Sequence, residues 1–109
     1  MGTGAGSPRG VASWLRRRLP VLLRGYGITE AYLFGSWGRG DADECSDIDL
    51  IVVASSKRPF VERFRDYPEL WLGAPTGIDL LIYTPEEFAT QRRVNRFVRH
   101  VLREARRIV

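Results

Sequence analysis

Apolar residues recur at three- and four-residue spacing near the start of the chain. Leu15, Leu19, Leu22 and Leu23 predict a helix over residues 11–24, with Pro20 inside it and hence a kink or early break near Leu19. Gly25-Tyr26-Gly27 ends that helix. The period then changes. Ile28 to Phe34 reads as a short strand running into Gly35, and the Gly-, Ser- and Asp-rich stretch 35–46 as a loop or short helix. Ile48 to Val53 is a nearly continuous aliphatic run, the mark of a strand buried on both faces. Phe60, Phe64, Tyr67 and Trp71 predict a helix over 60–72, weakened by Pro68. Ile78 to Tyr83 is a third strand.

Thr84-Pro85-Glu86-Glu87 is a helix start, with Thr84 as cap, Pro85 at the first helical position and Glu87 completing a capping box. The helix is expected to run towards Val109. Val94, Phe97, Val98, Val101, Ala105 and Ile108 form its apolar stripe, and Arg92, Arg96, Arg99, Arg103 and Arg106 gather opposite. The order α-β-(short α)-β-α-β-α is an α/β or α+β pattern. Residues 1–10, rich in Gly and small side chains, read as a flexible tail before a single domain over 11–109.

Composition narrows the class. The chain has 109 residues, 44% hydrophobic and 28% charged, which fits one soluble globular domain. It has no apolar run near membrane-spanning length. A single cysteine, Cys45, and a single histidine, His100, exclude a disulfide framework and a Cys/His zinc cluster. A reducing, cytoplasmic setting is the simplest expectation. The net charge of +4 comes almost wholly from arginine, in Arg16–Arg18 and in seven arginines between Arg92 and Arg107. Such a balance suits nucleotide phosphates, nucleic acid or an acidic protein partner, and does not choose among them.

The candidate chemistry lies mid-chain. Gly35-Ser36 follows a strand directly. A glycine there lets the backbone approach a ligand, and the next N–H groups with the Ser36 hydroxyl suit phosphate oxygens. Arg39 lies between Gly38 and Gly40, where its charge can meet a phosphate. Asp47 and Asp49, two apart at a strand start, point to one face. Asp79 sits among Ile78, Leu80, Leu81 and Ile82, where a buried charge without a partner is costly and calls for a cation. Carboxylates facing phosphate oxygens suit Mg²⁺ and a two-metal in-line displacement. Each part has a plainer reading: a turn, a solvated acidic pair, an aspartate paired with arginine. Together, at fixed spacing, the four residues Gly35, Ser36, Asp47 and Asp49 arise by chance in roughly one chain in a thousand, with Gly near 7% of residues.

These residues carry a resemblance. Leu33-Phe34-Gly35-Ser36-Trp37-Gly38-Arg39-Gly40, then Ser46-Asp47-Ile48-Asp49-Leu50, and the continuation Asp79 to Phe88, resemble the nucleotidyltransferase superfamily that includes DNA polymerase beta. The stretch is most similar to the minimal nucleotidyltransferases, which are often paired with a HEPN-domain protein in toxin–antitoxin modules. The resemblance implies a small mixed sheet of three to four strands flanked by helices. It implies two Mg²⁺ ions held by Asp47, Asp49 and Asp79, with Gly35, Ser36 and Arg39 at the nucleotide. The implied reaction is AMP transfer from ATP to a tyrosine of the HEPN toxin. Trp37 and Gly38 depart from the arginine and alanine that relatives often carry.

A chain of this length leaves no room for a domain that holds an acceptor. The acceptor is therefore expected from another molecule, or in a dimer cleft, so a homodimer or a hetero-oligomer with the toxin fits. Two other readings stand beside this one: an antitoxin that neutralises by contact alone, and a nucleotidyltransferase for a small molecule or RNA end. Nucleic acid is compatible with the arginine face but not favoured. Trp14, Trp71 and Phe97 are expected in the core. Trp37, in the loop, is expected to be open to a base or a partner.

Overall fold

The computed structural model describes residues 8–43 and 45–109. The first helix is helical from α1 (Pro8–Ser13) through a π-helical turn (Trp14–Arg18) into α2 (Leu19–Gly25). Pro8–Gly10 thus belong to a helix rather than to the expected tail, and residues 1–7 lie outside the described residues. Pro20 neither breaks nor ends the helix. Its ring clashes with a normal helical register, and it has no N–H for the carbonyl four residues back. The wider π turn directly before it takes up that mismatch, a familiar use of such a turn.

The sheet has strand order β3-β2-β1-β4. Strand β1 (Ala31–Phe34) pairs antiparallel with β2 (Ile48–Val53), which pairs parallel with β3 (Ile78–Tyr83). The short helix α3 (Gly35–Arg39) follows β1 without a break. Between β2 and β3 run a 3-10 helix (Phe60–Asp66) and α4 (Pro68–Trp71). The expected single helix over 60–72 therefore divides at Tyr67, because the residue before a proline is driven out of the helical region and sits at φ −130°. The mixed α/β sheet flanked by helices is as expected.

Strand β2 is central. Leu50, Ile51 and Val52 are fully buried, each worth ~1.5–3 kcal/mol. Alternation sends Ile48, Leu50 and Val52 to one face, where they meet Leu33, Leu19, Leu23 and Leu70. Ile51 and Val53 point to the other, against Phe88, Val98 and Val101.

The C-terminal helix also divides, into α5 (Pro85–Val94) and α6 (Arg96–Glu104). The expected capping box at Thr84 and Glu87 is present. Asn95 leaves helical geometry and caps the second helix, its side chain accepting from the Val98 N–H at 3.1 Å. That break resets the phase of the apolar stripe. Val98 and Val101 are buried, whereas Val94 and Phe97 are 60% and 53% exposed, so Phe97 is not a core residue. Nor does helix continue to Val109. Arg106–Arg107 form β4, antiparallel to β1, and the Ile108 N–H donates to the Ala31 carbonyl.

One ion pair between a buried arginine and a half-exposed glutamate ties the parallel crossover together. Arg63, 6% exposed, donates to both carboxylate oxygens of Glu87 at 2.5 and 3.0 Å and to the carbonyls of Ile82 and Arg58. Arg63 holds the Glu87 carboxyl down at about 2, helped by the Thr84 backbone N–H. The folded state therefore binds fewer protons than the unfolded chain between pH 4.5 and about 2. That contribution is present above 4.5 and is lost as pH falls through this window. Urea unfolding from pH 5 to 2.5 should show a steeper loss of stability in the wild type than in Glu87→Gln. At pH 7, Arg63→Leu should cost ~2 kcal/mol, because it removes two charge-assisted bonds to Glu87 and leaves the Ile82 and Arg58 carbonyls without their donor. Arg63→Lys should recover under half of that, having no planar fork.

Candidate active site

Register places the acidic residues. Phe34, Asp49 and Asp79 are direct neighbours across β1, β2 and β3. Side chains alternate, so Asp49 and Asp79 share the face that carries Ile51 and Leu81 deeper in the sheet. Asp47 sits one alternation further out, beyond the β2 end. The starts of β2 and β3 thus set the three carboxylates singled out in the sequence along one edge of the sheet.

Their environments differ from expectation. Asp79 is exposed, as a residue near the start of an edge strand can be. The cost of burial falls instead on Asp49. Burial raises the Asp49 carboxyl above the usual range, the charge of Asp79 and its hydrogen bonding raise it further, and Asp47 adds to this. The Arg39 guanidinium works in the opposite direction. Among the described residues, no three His, Cys, Asp or Glu side chains close on one point. The acidic groups lie side by side along an open rim.

Two glycines make that rim. Gly35 has φ +67°, and a Cβ there would collide with the Asp49 carboxylate. Gly77 has ordinary φ, but a Cβ on it would come within 2.6 Å of Asp47 Oδ1. Its carbonyl also accepts from the Ile48 N–H at 2.8 Å, aligning the start of β2. Gly77 was not among the residues singled out in the sequence. Its signal was a glycine two positions before an aspartate at a strand start. Gly38 is the third close contact: a Cβ would lie 2.6 Å from the Leu33 carbonyl oxygen, so only glycine lets α3 fold back onto β1.

Ser36 is in the first turn of α3, and its carbonyl accepts from Gly40 and Asp41. Its hydroxyl has no hydrogen-bond partner among the described residues. Arg39 ends α3 and lies 3.3 Å from Asp41 and 3.9 Å from Glu104, both exposed pairs. Trp37 is half-buried rather than fully open. Its ring packs against the core on the helix side of the sheet, and its indole N–H donates to the Ser46 carbonyl at 3.2 Å. It pins the loop that leads to Asp47, and its half-buried ring also lines a hollow with Arg16, Arg106 and Arg107.

Asp49→Asn tests this crowding. A carboxyl whose folded pKa is raised loses stability as pH rises through its range, since the folded state then holds the extra proton. The amide should therefore raise stability at pH 7 by ~1 kcal/mol, or a few degrees in Tm, with little gain at pH 3. Gly35→Ala should lower Tm, and combining it with Asp49→Asn should not restore it, because φ stays positive.

Residues 20–91 match the family model for polymerase beta, nucleotidyltransferase. A putative protein adenylyltransferase of Methanocaldococcus jannaschii is 32% identical over 68 residues, which is 62% of this chain and 72% of that protein. A crystal structure of a toxin–antitoxin with AMP-PNP has TM-score 0.60 at 22% identity, over 86% of this chain and 72% of that one. A putative nucleotidyltransferase from Sulfolobus solfataricus gives 0.58 at 19% identity, over 98% and 89%. A mutant MntA–HpeT toxin–antitoxin gives 0.56 at 19%, over 86% and 71%. These three share the fold. With well over half its length matching the family model, and the carboxylates and glycines of the rim inside or beside that span, the chain belongs to the polymerase beta nucleotidyltransferase family.

Proposed function

We propose that this nucleotidyltransferase is the antitoxin of a toxin–antitoxin module and moves AMP from ATP to a tyrosine hydroxyl of a HEPN-domain toxin. The observation that carries the reading is the crowding of Asp49 by Asp79 and Asp47 at a rim that glycines leave open. Like charges brought this close cost stability unless a cation or a reaction uses them. The similarity to a protein named as an adenylyltransferase, and to toxin–antitoxin chains, supports a protein acceptor.

The donor set fits Mg²⁺. It offers only oxygen ligands, and its open side suits an ion that keeps substrate phosphates in its shell. Asp47, Asp49 and Asp79 would hold two such ions, which supply charge neutralisation at the phosphates when bound. Gly35 and Ser36 offer backbone N–H groups and a free hydroxyl to phosphate oxygens, and Arg39 brings a positive charge. The acceptor oxygen forms a bond to the α-phosphorus while the bond to the bridging oxygen breaks. Pyrophosphate leaves, and the hydroxyl proton passes to the exposed Asp79 carboxylate.

The test incubates the purified chain with base-labelled ATP, Mg²⁺ and the protein encoded beside it. Label should appear on the neighbour and fall at least 100-fold in Asp47→Asn and Asp79→Asn. Chelation of the divalent ion should abolish it. If no protein is labelled while both variants still neutralise the neighbour, the chain works by contact and the transfer reading fails. Labelling of a small molecule or RNA end instead would move the acceptor class.

A further inference from the structure

The outer face of α6 carries Arg96, Arg99, His100 and Arg103 at helical spacing, a stripe about 10 Å long. Four arginines of α3 and the crossover are held in ion pairs, whereas Arg16–Arg18 near the start of the chain are exposed and lie far in sequence from the site residues. Arg58, Arg63 and Arg65 pair with Asp66, Glu87 and Glu62, and Arg39 with Asp41 and Glu104. Among the described residues, Arg96, Arg99 and Arg103 have no acidic partner. With Phe97 they line a hollow of about 550 Å³.

This face borders the active site. Phe97 meets Phe34 edge to face at 6.2 Å, and Phe34 is the register neighbour of Asp49. At its other end, α6 reaches α3 through Glu104 and Arg39. A macromolecule that reaches the carboxylate rim past Phe34 lies against this helix. A long guanidinium stripe with one exposed ring at its inner end suits a partner with carboxylates at matching helical spacing. A second copy of the chain is a poor occupant, since each carries net charge +4.

We propose that the exposed face of α6 is the docking surface for an acidic helical segment of the acceptor protein, with Phe97 as its apolar anchor beside the site. The proposal rests on the protein-acceptor reading above. It adds that the acceptor is held by charge on α6 as well as by the reacting hydroxyl. Its salt dependence follows: the contact should weaken from 20 to 200 mM salt.

The test uses the full chain and a fluorescein-labelled 14-residue helical peptide with glutamates at i, i+3, i+4 and i+7. Fluorescence anisotropy should show saturable binding, at least tenfold weaker in Arg96→Glu/Arg103→Glu. Arg16→Glu/Arg17→Glu makes the same charge change on another exposed arginine cluster and should alter binding less than twofold. Thermal melts check that both variants fold. Absence of binding at low salt, or equal weakening by both pairs, overturns the proposal. So does tighter binding of a 14-nucleotide oligouridylate that displaces the peptide, which would make this a nucleic-acid surface. AMP transfer to the neighbour protein undiminished in Arg96→Glu/Arg103→Glu would remove the docking role and leave the transfer reading intact. Peptide binding as expected with no labelling of any protein would do the reverse.

Discussion

The fold is arranged around the mutual repulsion of Asp49 and Asp79. Sheet register forces them to be neighbours, and the strands on which they lie are held by aliphatic packing that has no use for either. Asp49 is the more strained of the two, since it alone is partly withdrawn from water. A few kcal/mol of hydrophobic stabilisation from β2 is enough to hold one such group in place, and Leu50, Ile51 and Val52 provide it. Site and core are thus set on the same strand, one residue apart.

The rest of the architecture serves that placement. Antiparallel pairing with β1 brings Gly35 over Asp49, and parallel pairing with β3 brings Asp79 alongside. The parallel pair needs a long crossover, and Arg63 locks it by joining the 3-10 helix to the end of β3 and the start of α5. Trp37 performs a comparable task at the site itself, anchoring the loop before Asp47. Both are polar groups on large side chains used as fasteners.

Much of this was legible in the residues. The three longer strands, the capping box at Thr84 and the convergence of Asp47 and Asp49 follow from periodicity and from local chemistry that distant contacts do not override. What escaped depends on tertiary context. Two arginines do not look like a strand, and Arg106–Arg107 become one only because β1 offers a free edge. Asn95 is an ordinary residue until its side chain finds the Val98 N–H, and the stripe reading ran through it. Asp79 looked buried because its neighbours in sequence are aliphatic, yet its place on an edge strand leaves it wet. Gly77 matters through an atom that it lacks, which no local pattern marks.

The parallel pairing of β2 with β3 also sets an order in time. Asp49 and Asp79 are separated by a crossover that must be synthesised and wound before they meet, and pairing over such separations is slow. A growing or partly folded chain can close the β1–β2 hairpin and display Gly35 beside Asp49 while Asp79 is still elsewhere. The reactive arrangement is therefore complete only once the crossover has closed. Until that pairing forms, the chain carries Asp47 and Asp49 without Asp79 beside them.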